Sequence, residues 1–99
     1  MKVEQNFTII NKTGFTLDFV NVFPDTSNYK TIAIGDSLDY KCDMTNLPKV
    51  DGNYVIHFIE TEHKRLKSYK FGYYTNGSPI ETEIRILIFP DSISAMSLF

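Results

Sequence analysis

Few side chains in this 99-residue sequence have types and spacings that suit chemistry. They are Cys42, His57, His63 and two glutamate pairs, Glu60/Glu62 and Glu81/Glu83. A nucleophilic cysteine works as its thiolate and needs a cationic neighbourhood. Cys42 instead alternates with Leu38 and Tyr40, which places it on a core-facing row as a small hydrophobe. His57 stands between Ile56 and Phe58, and His63 lies in the charged stretch Thr61-Glu62-His63-Lys64. A tight hairpin would bring the two histidines together, and Glu60 or Glu62 would complete a rough metal cluster able to serve a hydrolase. Neither H-E-x-x-H nor a paired C-x-x-C spacing is present, so no metal is expected. Acid–base catalysis needs two carboxylates in different environments. Two like glutamates on one exposed face read instead as a soluble surface. No G-x-x-x-x-G-K, G-x-G-x-x-G or G-x-S-x-G occurs, so no catalytic residue and no cofactor is expected.

The run His63, Lys64, Arg65, Lys67 and Lys70, with Tyr69 and Phe71 beside it, has the aromatic–basic mixture of single-strand nucleic-acid sites. Glu60 and Glu62 adjoin it, and it reads better as a sheet edge guarded by lysines. The remaining functional material is acidic. Asp36, Asp39 and Asp43 line one outer row and its rim, with Asp51 in the following loop. Glu60, Glu62, Glu81 and Glu83 form a second set, and Tyr73 or Tyr74 would supply an aromatic anchor. Together these residues are the expected partner-binding surface, suited to a basic protein.

Strands must position these residues, since apolar residues recur with period two and helical periodicity is nearly absent. The expected strands span 5–11, 15–23, 29–34, 37–43, 53–60, 65–75 and 80–89. The tail 91–99 is either an eighth strand or a loosely packed end. Strands 5–11 and 15–23 are expected to pair as a hairpin about Asn11-Lys12-Thr13-Gly14, with Phe15, Leu17 and Phe19 on one face. Segment 53–60 is apolar on both faces apart from His57 and should lie centrally. Gly72 marks a bulge. Asn76-Gly77 signals a second hairpin, with Ile80, Ile84, Ile86 and Ile88 inward on the returning strand. Seven to eight short strands at this spacing predict an all-β fold, an antiparallel β-sandwich forming a single domain over 1–99.

The bulk numbers narrow the class. Net charge is −2, and the acids and bases are balanced in both halves. A nucleic-acid binder would carry a basic excess. One cysteine permits no internal disulfide, the first ten residues lack the apolar core of a signal peptide, and the longest apolar run, IRILIF, contains Arg85. These features predict a cytoplasmic protein rather than a membrane one.

Two resemblances follow. The opening FTIINKTGFTLDFVNVFP, with Asn11, Thr13 and Gly14 in an I-x-N-x-T-G-x-x-L pattern, is similar to the first hairpin of aegerolysin- and actinoporin-like β-sandwiches. That likeness implies a lipid- or carbohydrate-binding module, although this chain has no Trp. In size, strand content, mild acidity and lack of a catalytic constellation, the chain resembles bacterial toxin-immunity proteins, those of contact-dependent growth inhibition above all. This second resemblance implies a non-enzymatic inhibitor. It would bind a cognate toxin one-to-one and cover its active site, which in a nuclease is basic.

Overall fold

The computed structural model of the chain describes residues 3–98. The alternation of apolar and polar residues becomes eight strands: β1 Glu4–Asn11, β2 Leu17–Phe23, β3 Lys30–Ile32, β4 Ser37–Asp43, β5 Gly52–Glu60, β6 Arg65–Tyr74, β7 Glu83–Ile88 and β8 Ile93–Leu98. The described residues contain no helix long and apolar enough to cross a membrane. The expected tail strand is found as β8, with Phe99 outside the described residues. Two four-stranded sheets result, ordered β4-β1-β7-β8 and β3-β2-β5-β6. All strand pairings are antiparallel except β1 with β7, which corrects the expected purely antiparallel pattern. Parallel neighbours need a long crossover. Here the excursion through β2 to β6 supplies it.

The buried hydrophobic residues of both sheets form one core cluster. Phe7 of β1 meets Tyr54 of β5 edge-on at 5.2 Å and Phe71 of β6 at 5.8 Å. Such ring pairs add about 0.5–1.5 kcal/mol beyond the area they bury. Tyr40 and Cys42 of β4 face this core, as their alternation with Leu38 implies. Burial pushes the Cys42 thiol up to about 12, so at neutral pH it stays protonated and unreactive. β5 lies between β2 and β6, the central position its apolar sequence predicts. Gly72 sits at a register shift in β6 with φ +52°.

Neither expected hairpin pairs its two long strands, although Thr75 and Ser78 bridge antiparallel across the Asn76-Gly77 turn. β1 and β2 belong to different sheets, because the side chain of Asn11 turns the chain between them. Its amide donates to the carbonyls of Phe15 (2.6 Å), Ile32 (3.2 Å) and Ala33 (3.2 Å). Its carbonyl oxygen accepts from the Thr13 backbone (3.0 Å) and hydroxyl (2.7 Å). These bonds outcompete a ladder between the two strands. Asn76 and Gly77 do take the positive φ of a tight turn. That turn is bound to the loop before β5, through Asn76 N to Asp51 Oδ1 (2.9 Å) and Gly77 N to the Val50 carbonyl (2.9 Å). It therefore hands the chain from β6 across to the other sheet instead of back along β6. Ile80, expected inward, precedes β7 and is exposed, whereas Ile84, Ile86 and Ile88 are buried.

Asn11→Ala would strand several polar groups inside the protein, each costing about 1–3 kcal/mol. A loss of roughly 3 kcal/mol in urea unfolding is expected. A loss under about 1 kcal/mol would remove Asn11 as the determinant of the crossing.

Candidate functional site

β2 builds the site. Leu17, Val20 and Val22 are buried, while Phe19 and Phe23 face outward. The change of parity occurs at Phe19, whose φ is +53°, where the pairing of β2 with both neighbours shifts register. A bulky residue in the left-handed region costs about 1–2 kcal/mol, and a bulge re-aims the side chain it carries. Phe19 consequently points to solvent, 60 % exposed, where a regular strand would have buried it.

Cross-strand register then sets the neighbours. Val55 stands opposite Phe23, His57 opposite Asn21, and Ile59 opposite Asp18. One strand further, Lys70 pairs with Val55, Ser68 with His57 and Leu66 with Ile59. Leu66 is 71 % exposed. Tyr29, just before β3, is also exposed. Phe19, Phe23, Tyr29, His57, Ile59 and Leu66 border a shallow depression of about 320 Å³. Beside it, Asp18, Phe19, Tyr29, Lys30 and Thr31 border a second of about 230 Å³.

A buried polar frame holds Tyr29 and Phe23 at the rim. β3 is too short to pair with all of β2, and the Tyr40 hydroxyl takes its place. It accepts from Val22 N (3.1 Å) and donates to the Asn28 carbonyl (2.7 Å). The Asn21 amide donates to the Asp25 carbonyl (2.7 Å), the Asn28 carbonyl (3.1 Å) and Tyr40 Oη (3.2 Å). Asp25 is buried and its carboxylate accepts from Asp43 N, Ser27 N, Asn28 N and the Ser27 hydroxyl at 2.9–3.1 Å. Burial by itself would raise the Asp25 pKa. Its hydrogen bonds to the backbone of Asp43, Ser27 and Asn28 and to the Ser27 hydroxyl outweigh burial and hold it below the ordinary aspartate value.

The residues singled out from the sequence lie elsewhere. Asp39 and Asp43 share the outer row of β4, and Glu83 lies on the same face of that sheet, but Lys41 and Arg85 are interleaved with them. Glu83 accepts from the Thr8 hydroxyl at 2.8 Å. Asp36 precedes β4, and Asp51 caps the 75–78 turn. Tyr73 is exposed. Glu62 is exposed in the β5–β6 turn. Glu81 lies before β7, off the strand, and one of its carboxylate oxygens is 3.4 Å from the Ser97 hydroxyl. Two expectations are corrected. Tyr74 is buried in the core, because the bulge at Gly72 returns it inward. Glu60 is also buried, where His63 Nδ1 contacts its carboxylate and Lys67 lies 3.7 Å away. The hydrogen bond from His63 lowers the Glu60 pKa, against the opposing effect of burial and with help from the charges of His63, Lys67 and Arg65.

The histidines have separate surroundings. His57 Nδ1 is 3.0 Å from the Ser68 hydroxyl, whereas His63 packs edge-on against Phe15. Among the described residues, no three His, Cys, Asp or Glu side chains converge on a position that would hold a metal. The lysine-rich strand β6 is a sheet edge, and Lys67 is turned onto the Pro90 carbonyl. No family model, curated protein or solved structure matches the chain.

The apolar patch had one sequence signal. In Leu17-Asp18-Phe19-Val20-Asn21-Val22-Phe23, apolar residues occupy odd positions up to Phe19 and even ones from Val20 to Val22. That switch of parity is the mark of a bulge.

Two measurements probe this construction. Glycine tolerates positive φ, so Phe19→Gly should be about 1 kcal/mol more stable than Phe19→Ala, reversing the usual order within a strand. Equal stabilities would mean that Phe19 bears no backbone strain. For Asp25, the lowered folded pKa implies stability that is complete above the unfolded value near pH 4 and lost as pH falls through the folded pKa. Urea midpoints of Asp25→Asn should therefore vary less between about pH 2 and pH 5 than those of the wild type. Parallel curves would remove Asp25 from the acid response.

Proposed function

We propose that the chain is a non-enzymatic protein-binding module, a cytoplasmic immunity protein that neutralises a cognate toxin. In this reading its two sheets stack as a β-sandwich, and it grips its partner with the outer face of β2, β5 and β6. The observation that carries the reading is the group Phe19, Phe23, Tyr29 and Leu66. These are four large apolar side chains exposed together around one depression. Scattered apolar residues are normal on a surface, but a contiguous patch marks a contact site. Aromatic anchors seated against shallow pockets dominate binding energy at such sites. Backbone strain at Phe19 strengthens the case, since strain kept in a native fold concentrates at functional positions. The assignment of the partner as a toxin domain, bound one-to-one, draws on the likeness in size, strand content and charge to immunity proteins. The acids Asp36, Asp39, Asp43 and Glu83 would then keep the opposite face solvated and speed encounter with a basic toxin.

A second reading, a lipid- or carbohydrate-binding sheet, is favoured by the same exposed rings of Phe19, Phe23 and Tyr29. Liposome flotation and a glycan array separate the two.

The chain is expected to co-purify with the product of an adjacent toxin gene and to rescue growth when the two are co-expressed. Phe19→Asp and Leu66→Asp should each weaken the complex by about 2 kcal/mol, roughly 30-fold, without lowering the melting temperature by much. Asp39→Asn and Asp43→Asn should change it far less. An undiminished complex with both patch variants would overturn the assignment of this face.

A further inference from the structure

We propose that β8 is the edge through which two copies of this chain pair, so that one sheet runs on from each subunit into the other. The edge strands are β4 and β8 in one sheet and β3 and β6 in the other. An open edge invites pairing with another chain, and proteins normally blunt it by shortness, cover, charge or irregularity. β3 is three residues long. β4 is covered by the loop at 24–29, where the Lys41 carbonyl accepts from Asn28 Nδ2 (3.0 Å) and Asp43 N donates to Asp25 Oδ2 (2.9 Å). β6 carries Arg65, Lys67 and Lys70 and shifts register near Gly72. β8 has none of these devices. Its six residues, Ile93-Ser94-Ala95-Met96-Ser97-Leu98, include no charge, proline or glycine. They pair with β7 without a register shift, and Ser94, Ala95, Met96 and Ser97 are all exposed.

The hydrogen-bond phase shows what this edge offers. Phe89 N donates to the Ser92 carbonyl (2.8 Å), while the Ile88 carbonyl faces the other way and accepts from Lys12 N (2.8 Å). Backbone groups alternate in direction along a strand. Ser94 and Met96 therefore turn their N–H and C=O towards β7, and Ile93, Ala95 and Ser97 turn theirs outward. Among the described residues, no hydrogen bond reaches those outward groups. A two-fold axis at Ala95 sets it opposite Ala95 of a second copy, with Ile93 opposite the second copy's Ser97. Every outward N–H and C=O then finds a partner. Charge selects a second copy as the occupant. β8 brought against itself meets no like charge, whereas β6 against itself would crowd its lysines and Arg65, and like charges directly opposite are destabilising. β8 also belongs to the sheet that does not carry the apolar patch, so pairing leaves Phe19 and Leu66 free in both copies.

Sedimentation equilibrium of the intact chain tests this. The 11.4 kDa species should convert to twice that mass, with the midpoint on the order of 10 μM that suits a small interface. Ala95 is exposed, so a charge placed there is solvated in the single chain. Ala95→Lys and Ala95→Glu should each weaken the dimer at least about tenfold, and mixing the two should restore it, because unlike charges then meet at the axis. Ala95→Pro removes an outward N–H and spares the β7 ladder. It should be monomeric with the far-ultraviolet spectrum of the wild type. A wild type that stays at 11.4 kDa up to about 200 μM would overturn the proposal. So would a dimer that survives all three substitutions, or one that is lost with Phe19→Asp instead. Charge variants that stay monomeric when mixed would overturn the axis at Ala95. A monomeric chain whose Ala95→Pro variant no longer holds its protein partner would give the edge to a foreign strand and overturn the pairing of copies.

Discussion

β2 carries five large or medium apolar side chains in seven residues: Leu17, Phe19, Val20, Val22 and Phe23. A regular strand can turn only alternate residues inward. Two solutions exist for such a strand. Both of its faces can be covered, or its parity can change and leave the excess outside. This chain takes the second course, spending backbone strain at Phe19 to seat Leu17, Val20 and Val22 in the core. The rest of the outer face follows from that choice. With β2 in place, antiparallel pairing dictates that His57, Ile59, Leu66 and Ser68 line up beside it. No element of the described chain packs over them.

A second group of residues makes the patch rigid enough to serve as a contact. Asn11, Asn21, Asp25 and Tyr40 are polar, yet all four are buried. Asn11 ends β1 and Asp25 follows β2, while Asn21 and Tyr40 lie within β2 and β4, and the side chain of each bonds backbone groups outside its own ladder. An unmade hydrogen bond in a core costs more than a made one contributes. Such residues therefore specify one geometry for the crossing at 11–16 and for the loop at 24–29. The loop carries Tyr29, and its Pro24 follows Phe23. The aromatic rim is consequently set by the interior of the protein as much as by its surface.

Charge is distributed unevenly between the two outer faces. On the first sheet, acids alternate with Lys41 and Arg85, which leaves a mixed, solvated surface. On the second, charges are sparser around the apolar patch, where Asp18 and Lys30 border the smaller depression together. Net charge averages over both and hides this difference. It is the local arrangement that a docked partner meets, since water is expelled only there and screening is weakest there.

Sequence alone determined which residues become strands. Period-two alternation comes from backbone geometry that each strand obeys independently, so β4, β5, β6 and the inward row of β7 were legible from their own residues. The central place of β5 and the bulge at Gly72 were legible for the same local reason. Strand partnership was not, because an Asn-Gly or Asn-Lys-Thr-Gly turn sets where the chain bends and leaves open which sheet it bends into. Hydrogen bonds from Asn11 and contacts of the 75–78 turn with residues 50–51, distant in sequence, decided that. The burial of Glu60 and Tyr74 and the exposure of Phe19 likewise depended on register between strands. Which face a side chain occupies is a property of the pairing, and pairing exists only once the sheets have formed.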